Sequence, residues 1–227
     1  MEFIYKGKTK DVYRLPNGQI VLQFKDHVTG AEGVFDPGAN TVGLTLDGAG
    51  RSGLRMTKHF FDLLSDHDIP THFIAANLDE ATMTVKDADM FGDGLEVICR
   101  YKAVGSFLRR YGAYCKEGQP LDALVEVTIK DDERQDPPIS RDALVELHII
   151  SAEQYTEIKM LTKEIAGMVK QVFADKDLDL YDLKLEFGRD KETGSIMLID
   201  EISAGNMRVF KDGKPVGPLD LEQLVLG

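Results

Sequence analysis

Asp179-Leu180-Tyr181-Asp182-Leu183-Lys184-Leu185-Glu186-Phe187 is the stretch from which the rest of the chain can be read. Side chains alternate across a strand, so Tyr181, Leu183, Leu185 and Phe187 share one face and Asp182, Lys184 and Glu186 the other. Gly188 to Gly194 is rich in turn residues, and Ser195 to Glu201 reads as the returning strand, with Ile196, Leu198 and Asp200 on a common face. Such a hairpin brings Glu186 and Asp200 to one neighbourhood. Magnesium prefers oxygen donors and is typically held by one or two carboxylates plus phosphates and water, which this pair suits. A solvated polar face would show the same alternation. Asp200, however, ends the apolar run Ile196-Met197-Leu198-Ile199, which argues for a half-buried, paired carboxylate.

Upstream, Leu95, Val97, Cys99 and Tyr101 alternate with Glu96, Ile98, Arg100 and Lys102, so a second amphipathic strand follows Gly92-Asp93-Gly94. Those glycines mark the boundary between a lobe of residues 1–92 and one of residues 93–227. Ser106 is placed to cap a short helix, Phe107 to Tyr111, that Gly112 can end. With Arg100, Arg109 and Arg110 it makes a basic cluster suited to an anion, although a plain capped helix with surface arginines reads the same way. Ala123 to Ile129 alternates as a strand, and Ser151 with Gln154 forms a capping box. The helix that follows has Ile158, Leu161, Ile165, Met168, Val169, Val172 and Phe173 on its buried stripe.

At the N-terminal end Ile4-Tyr5 opens a strand that Gly7-Lys8-Thr9-Lys10 interrupts, and Asp11 to Leu15 continues it into the turn Pro16-Asn17-Gly18. Gln19 to Phe24 completes the hairpin. Glycine lets backbone approach a phosphate closely and lysine supplies charge, yet the tetrapeptide is not a Walker A sequence. Residues 26–53 hold seven glycines and read as one long irregular functional loop. Met56, Phe60, Leu63 and Leu64 then recur at helical spacing, ending before Ile69-Pro70, and residues 71–103 look like strands.

Length and charge bound the function. The 227 residues suffice for one large domain or two small lobes. No apolar run approaches the roughly 20 residues of a membrane span, and Met1 to Lys6 lacks a signal-peptide profile. A formal net charge of −12 opposes nucleic-acid binding, which draws on Lys and Arg to neutralise phosphates. Cys99 and Cys115 form no disulfide framework, so a reducing, cytoplasmic setting is expected. His27, His59, His67, His72 and His148 show no metal-binding spacing and read as structural or surface residues.

Taken in order, these motifs resemble the SAICAR synthetases, the phosphoribosylaminoimidazole-succinocarboxamide synthases. The likeness starts at Tyr5-Lys6-Gly7-Lys8-Thr9-Lys10-Asp11-Val12-Tyr13 and runs through Ile69-Pro70-Thr71-His72-Phe73 and Arg100 to Gly112. Gly118-Gln119-Pro120-Leu121, Lys130-Asp131-Asp132 and Asp136-Pro137 follow in family order. Asp182 to Gly188 and Asp200-Glu201-Ile202-Ser203 with Arg208 are its most specific parts.

The resemblance implies a two-lobed α+β fold. Its N-terminal antiparallel sheet would resemble a kinase small lobe, with ATP bound by residues 1–92. The metal and nucleotide-substrate residues would lie in 93–227. It implies that Lys8, Lys10 and Lys130 contact ATP phosphates, and that Glu186 and Asp200 hold Mg²⁺. Arg100, Ser106 and Arg208 would grip the ribonucleotide phosphate, with Asp182 and Lys184 at the nucleotide substrate as catalytic residues. The activity implied is ATP-dependent amide formation between the carboxylate of carboxyaminoimidazole ribonucleotide and the amine of aspartate, through an acyl phosphate, in purine biosynthesis. The partners implied are small molecules and a second copy of the chain, with neither nucleic acid nor membrane.

Departures cluster around the reacting groups. Tyr101 stands where the family has Asn, Ser203-Ala204-Gly205 where it has Ser-Pro-Asp, and Arg55-Met56 where paired asparagines occur. They admit a divergent ligase with another acid or amine, or a nucleotide binder without catalysis. A small-molecule kinase is disfavoured, since no H-R-D-like loop is present. If the segment lines the pocket as in relatives, Arg55 is expected to partner the carboxylate of aspartate or to favour another anionic amine; equally, it reads as the start of the following helix, facing solvent.

Overall fold

A computed structural model describes every residue from Met1 to Gly227. In chain order the elements are β1 (Glu2–Lys6), β2 (Lys10–Arg14), β3 (Ile20–Phe24), β4 (His27–Ala31), β5 (Val34–Phe35), β6 (Val42–Thr45), α1 (Ala49–Ser65), β7 (Phe73–Asn77), β8 (Thr82–Val85) and β9 (Ala88–Met90). Then come β10 (Leu95–Lys102), α2 (Gly105–Tyr111), β11 (Pro120–Ile129), α3 (Arg141–Glu146), α4 (Ala152–Ala174) and β12 (Asp179–Asp190). The last are β13 (Ile196–Ile199), β14 (Met207–Lys211), β15 (Lys214–Pro215) and α5 (Pro218–Leu226). No helix is long and apolar enough to cross a membrane.

Two compact units result. The first holds Met1–Asp89, Gly188–Asn206 and Gly217–Gly227; the second holds Met90–Phe187 and Met207–Val216. The sequence division at residue 92 differs from this one chiefly at the C-terminal end. Residues 188–206 and 217–227, Asp200 among them, belong with the N-terminal strands.

In the first unit a five-stranded antiparallel sheet runs β1-β2-β3-β8-β7. The hairpin register pairs Lys10 with Phe24 and Arg14 with Ile20. Helix α1 buries Leu54, Met56, Phe60, Phe61 and Leu64. It begins seven residues before Met56, the first periodic apolar position of the sequence reading, and takes in glycines assigned to the loop. Gly50 explains this, because a Cβ there would come within 2.9 Å of the Lys25 carbonyl carbon. Close approach of two backbones, not flexibility, selects that glycine. The remaining loop is also more ordered than its composition suggests, since β5, β4 and β6 form a three-stranded antiparallel sheet within it.

The second unit is built on antiparallel strands in the order β11-β10-β12-β14-β15. Helix α4 opens with the capping box at Ser151 and Gln154 and buries Ile158, Thr162, Ile165, Ala166, Val169 and Phe173. Leu161, Met168 and Val172 lie at the margin of that stripe, half-buried. Strand β12 runs to Asp190, past the glycine at which a turn was expected. The turn is formed instead by Asp190 to Ser195, where the Asp190 N–H donates to the Ser195 carbonyl at 2.9 Å.

Candidate active site: two charged clusters

The β10, β12 and β14 registers place Arg100 opposite Asp182 and Asp182 opposite Arg208, one row across three strands. Arg100 is 1% exposed, and all three guanidinium nitrogens are engaged. Nε donates to Glu126 at 2.5 Å, Nη1 to Asp182 at 3.0 Å and Nη2 to the Ser106 hydroxyl at 2.9 Å. Arg208 donates to the same Asp182 oxygen at 2.8 Å, and Arg110 donates to the second Glu126 oxygen at 2.6 Å. Three guanidiniums therefore share two carboxylates in a largely buried place. Such charge-assisted bonds are short and directional.

Ser106 is not the cap expected of it. The helix N-cap is Val104, without a side-chain bond, and Gly105 occupies the first helical position. Gly105 has φ +54°, and a Cβ there would lie 2.8 Å from the Arg208 guanidinium. That glycine thus serves both the turn and the approach of the arginine. Ser106 is released from capping and faces Arg100. Arg109, counted in the basic cluster from sequence, is exposed.

Along the same sheet Lys184 donates to Glu96 at 2.6 Å, and the Thr128 hydroxyl donates to the other Glu96 oxygen at 3.0 Å. Burial opposes the charge on Lys184, but the Glu96 carboxylate outweighs it and holds the ammonium above the usual lysine range. Lys130 bonds both oxygens of Glu186, at 2.7 and 2.9 Å. The polar face of β12 is therefore no solvated surface, for Asp182 and Glu186 are both buried.

In the first unit the central group is Lys10. Its ammonium is buried, lies 3.0 Å from Asp200 and bonds the Glu201 carboxylate. Burial works against this charge, yet Asp200 and Glu201 prevail and hold the ammonium well above the usual lysine range. The sequence reading placed Asp200 on the returning strand. Strand β13 in fact stops at Ile199, and Asp200 takes a left-handed conformation with φ +63°. Asp residues tolerate that region better than most side chains.

The turn beyond Asp200 is tied down. Ser203 Oγ donates to Glu201 at 2.5 Å, the Asn206 amide donates to the Glu201 carbonyl at 2.5 Å, and the Ser203 N–H donates to Asn206 Oδ1 at 2.9 Å. His72 bonds the Asp200 carbonyl through Nε2 at 3.1 Å. Burial lowers its pKa to about 4, so at neutral pH the ring is an uncharged donor. Lys8 sits in the part-exposed bend between β1 and β2.

Glu96, Glu126, Glu201 and Asn206 carry much of this geometry and were not singled out from sequence. Alternation already set Glu96 on the face of Arg100, and Glu201 neighbours Asp200, so both had a signal. Glu126 and Asn206 had none, since only the register and the turn bring them in.

The departures also find their places. Tyr101 points away from the charged row, its ring lying 4.3 Å from the Lys170 ammonium of α4. Arg55, half-exposed, pairs with Glu222 of α5 at 3.0 Å. Ala204 and Gly205 belong to the 3-10 turn held by Ser203, whose hydroxyl accepts the Gly205 N–H at 3.0 Å.

An α+β fold of antiparallel sheets, with buried clusters of ion pairs around Lys10 and Arg100, is that of a protein equipped for charged small molecules. The SAICAR synthetase family profile matches residues 3–220. The phosphoribosylaminoimidazole-succinocarboxamide synthase of Clostridium tetani is 62% identical over 226 residues, covering 100% of both chains. The solved synthase of Ehrlichia chaffeensis superposes with a TM-score of 0.84 at 27% identity, covering 100% of this chain and 92% of the other. A SAICAR synthetase solved with ADP superposes at 0.81 with 31% identity, over 93% and 86% of the chains. The chain belongs to the SAICAR synthetase family.

Proposed function

We infer that the chain catalyses the ATP-dependent joining of carboxyaminoimidazole ribonucleotide to L-aspartate. The observation that carries this is the 62% identity to the Clostridium tetani synthase across the whole of both chains. That identity also disfavours a divergent ligase or a silent nucleotide binder. A substrate carboxylate oxygen attacks the terminal phosphorus of ATP and ADP leaves. The aspartate nitrogen then attacks the acyl carbon, losing a proton as phosphate departs. No protein nucleophile is required, so positioning and charge neutralisation supply the acceleration.

The buried clusters support roles for particular side chains. Arg208, Arg100 and Ser106 bind the ribonucleotide phosphate, a reading supported by the convergence of both arginines on Asp182 and of Ser106 on Arg100. Asp182 orients both arginines and, with Lys184, contacts the nucleotide as a catalytic residue. Lys8, Lys10 and Lys130 meet the ATP phosphates. Glu186 and Asp200 are the carboxylates for Mg²⁺, and their hard oxygen donors fit that ion. When bound, the ion would offset phosphate charge. Each carboxylate bonds a lysine, Glu186 with Lys130 and Asp200 with Lys10, and each such pair offers oxygens to a cation and an ammonium to a phosphate, which supports this reading. A cytoplasmic location and a second copy of the chain as partner go with this reading.

The test is ADP release with carboxyaminoimidazole ribonucleotide, with and without aspartate. Formation of the succinocarboxamide only when all three substrates and Mg²⁺ are present is expected. Turnover with another amine in preference to aspartate would overturn the substrate assignment.

A further inference from the structure

Strand β11 pairs with β10 so that Glu126 lies opposite Ile98 and Leu124 opposite Arg100. Glu126 and Arg100 therefore share a face of the sheet as diagonal neighbours. The Glu126 side chain is 12% exposed, and each carboxylate oxygen accepts from one guanidinium, Oε2 from Arg100 Nε and Oε1 from Arg110 Nη2. Arg110 stands four residues after Ser106 on α2, so both project from one face of that helix. Ser106 accepts from Arg100 Nη2. A closed ring of contacts results, from Arg100 through Ser106, a turn of α2, Arg110 and Glu126 back to Arg100.

Helix α2 has few anchors of its own. It is seven residues long, none of them fully buried, and its N-cap makes no side-chain bond. Its aromatic rings lie against the same arginines, the Arg100 guanidinium 5.8 Å from Phe107 and that of Arg110 5.3 Å from Tyr111. Arg110 Nε is buried without a hydrogen-bond partner, a donor that folding for stability alone would satisfy. The Arg110 side chain is thus placed for Glu126 rather than for its own bonding.

We propose that Glu126 is a positioning residue for the ribonucleotide phosphate, acting through Arg100 directly and through Arg110 on the helix that carries Ser106. A guanidinium is a rigid planar fork, so a bond at Nε sets the direction of both Nη groups. The bond to Arg110 occupies the other Glu126 oxygen, which keeps the carboxylate from turning away and fixes α2 against the sheet. This rests on the reading above that Arg100, Ser106 and Arg208 bind the phosphate, and adds the group that sets two of them relative to each other. The sign of the effect is diagnostic. On charge alone, removing a carboxylate beside a phosphate site strengthens phosphate binding. A positioning role gives the reverse.

The test measures the Michaelis constant for the ribonucleotide together with inhibition by ribose 5-phosphate, which carries the phosphate but not the reacting carboxylate. Glu126→Gln should raise both constants on the order of tenfold and leave the Michaelis constant for ATP within about twofold. Arg110→Met should raise the same two constants by about threefold or more, and add little in the Glu126→Gln background, because the two act through one contact. Circular dichroism verifies folding. Should Glu126→Gln not fold, Arg110→Met decides, since its side chain is 24% exposed, and unchanged constants there overturn the proposal. Constants unchanged or lowered in Glu126→Gln, while Arg208→Ala raises them, would overturn the role of Glu126 and leave the phosphate reading in place. If Arg208→Ala leaves them unchanged as well, the phosphate reading itself fails.

Discussion

The Lys10 and Arg100 clusters are both buried and both built from ion pairs, yet they are composed differently. Around Lys10 two carboxylates share one ammonium. Around Arg100 three guanidiniums share two carboxylates. Ordinary buried pairs balance, because an uncompensated charge in a poorly solvated place is costly. On the function proposed above, the Lys10 cluster would serve the metal nucleotide and the Arg100 cluster the ribonucleotide phosphate. They also differ in construction. A sheet register aligns the Arg100–Asp182–Arg208 row, whereas a turn beyond a strand end supports the Lys10 cluster.

The largest effect expected from that contrast is at Lys10. Lys10→Met leaves Asp200 and Glu201 crowded without their shared counter-charge, and loss of one partner from a buried pair costs about 3–5 kcal/mol. Urea unfolding would read it as a lower midpoint at unchanged slope. A midpoint unmoved by the change would mean that water, not Lys10, balances the two acids.

Next comes catalysis. Glu186→Gln and Asp200→Asn should each lower turnover by about 10²–10³ or more, as loss of a stabilising electrostatic group does, with the melting profile retained. Near-normal turnover in either variant would remove it from the metal assignment. Arg208→Ala should raise the Michaelis constant for the ribonucleotide roughly ten- to a hundredfold and leave that for ATP near its original value, because a charged hydrogen bond is worth about 1.5–3 kcal/mol. An effect falling on ATP instead would reverse the ligands given to the two clusters. The smallest effect is at Arg55. Its pair with Glu222 is half-exposed on the arginine side, so Arg55→Ala should cost no more than about 1 kcal/mol and leave aspartate kinetics unchanged. A marked rise in the aspartate Michaelis constant would return Arg55 to the substrate pocket.

Strand periodicity made β10 and β12 legible, along with the identity of their charged face, because alternation is a property of the extended backbone itself. The α4 capping box was legible for a similar reason, since its donors and acceptors lie three residues apart. The first turns of α1 were not, because Gly50 reads as a breaker until the Lys25 backbone that crowds it is known. Ser106 misled in the same way. Serine before a helix reads as a cap, and only the fold of β10 presents Arg100 as a stronger partner.

Sequence alone thus determined the alternating faces, the helix stripe, and the family membership borne by motifs in order. All of these depend on residues near each other along the chain or on their succession. Tertiary structure alone decided that residues 188–206 pack with the N-terminal strands, that Tyr101 turns toward α4, and which acid meets which base. Those outcomes depend on strand register and on a left-handed residue at Asp200. A shift of one position in register would turn every side chain of a strand to the other face, and no local pattern encodes which distant strand fixes it.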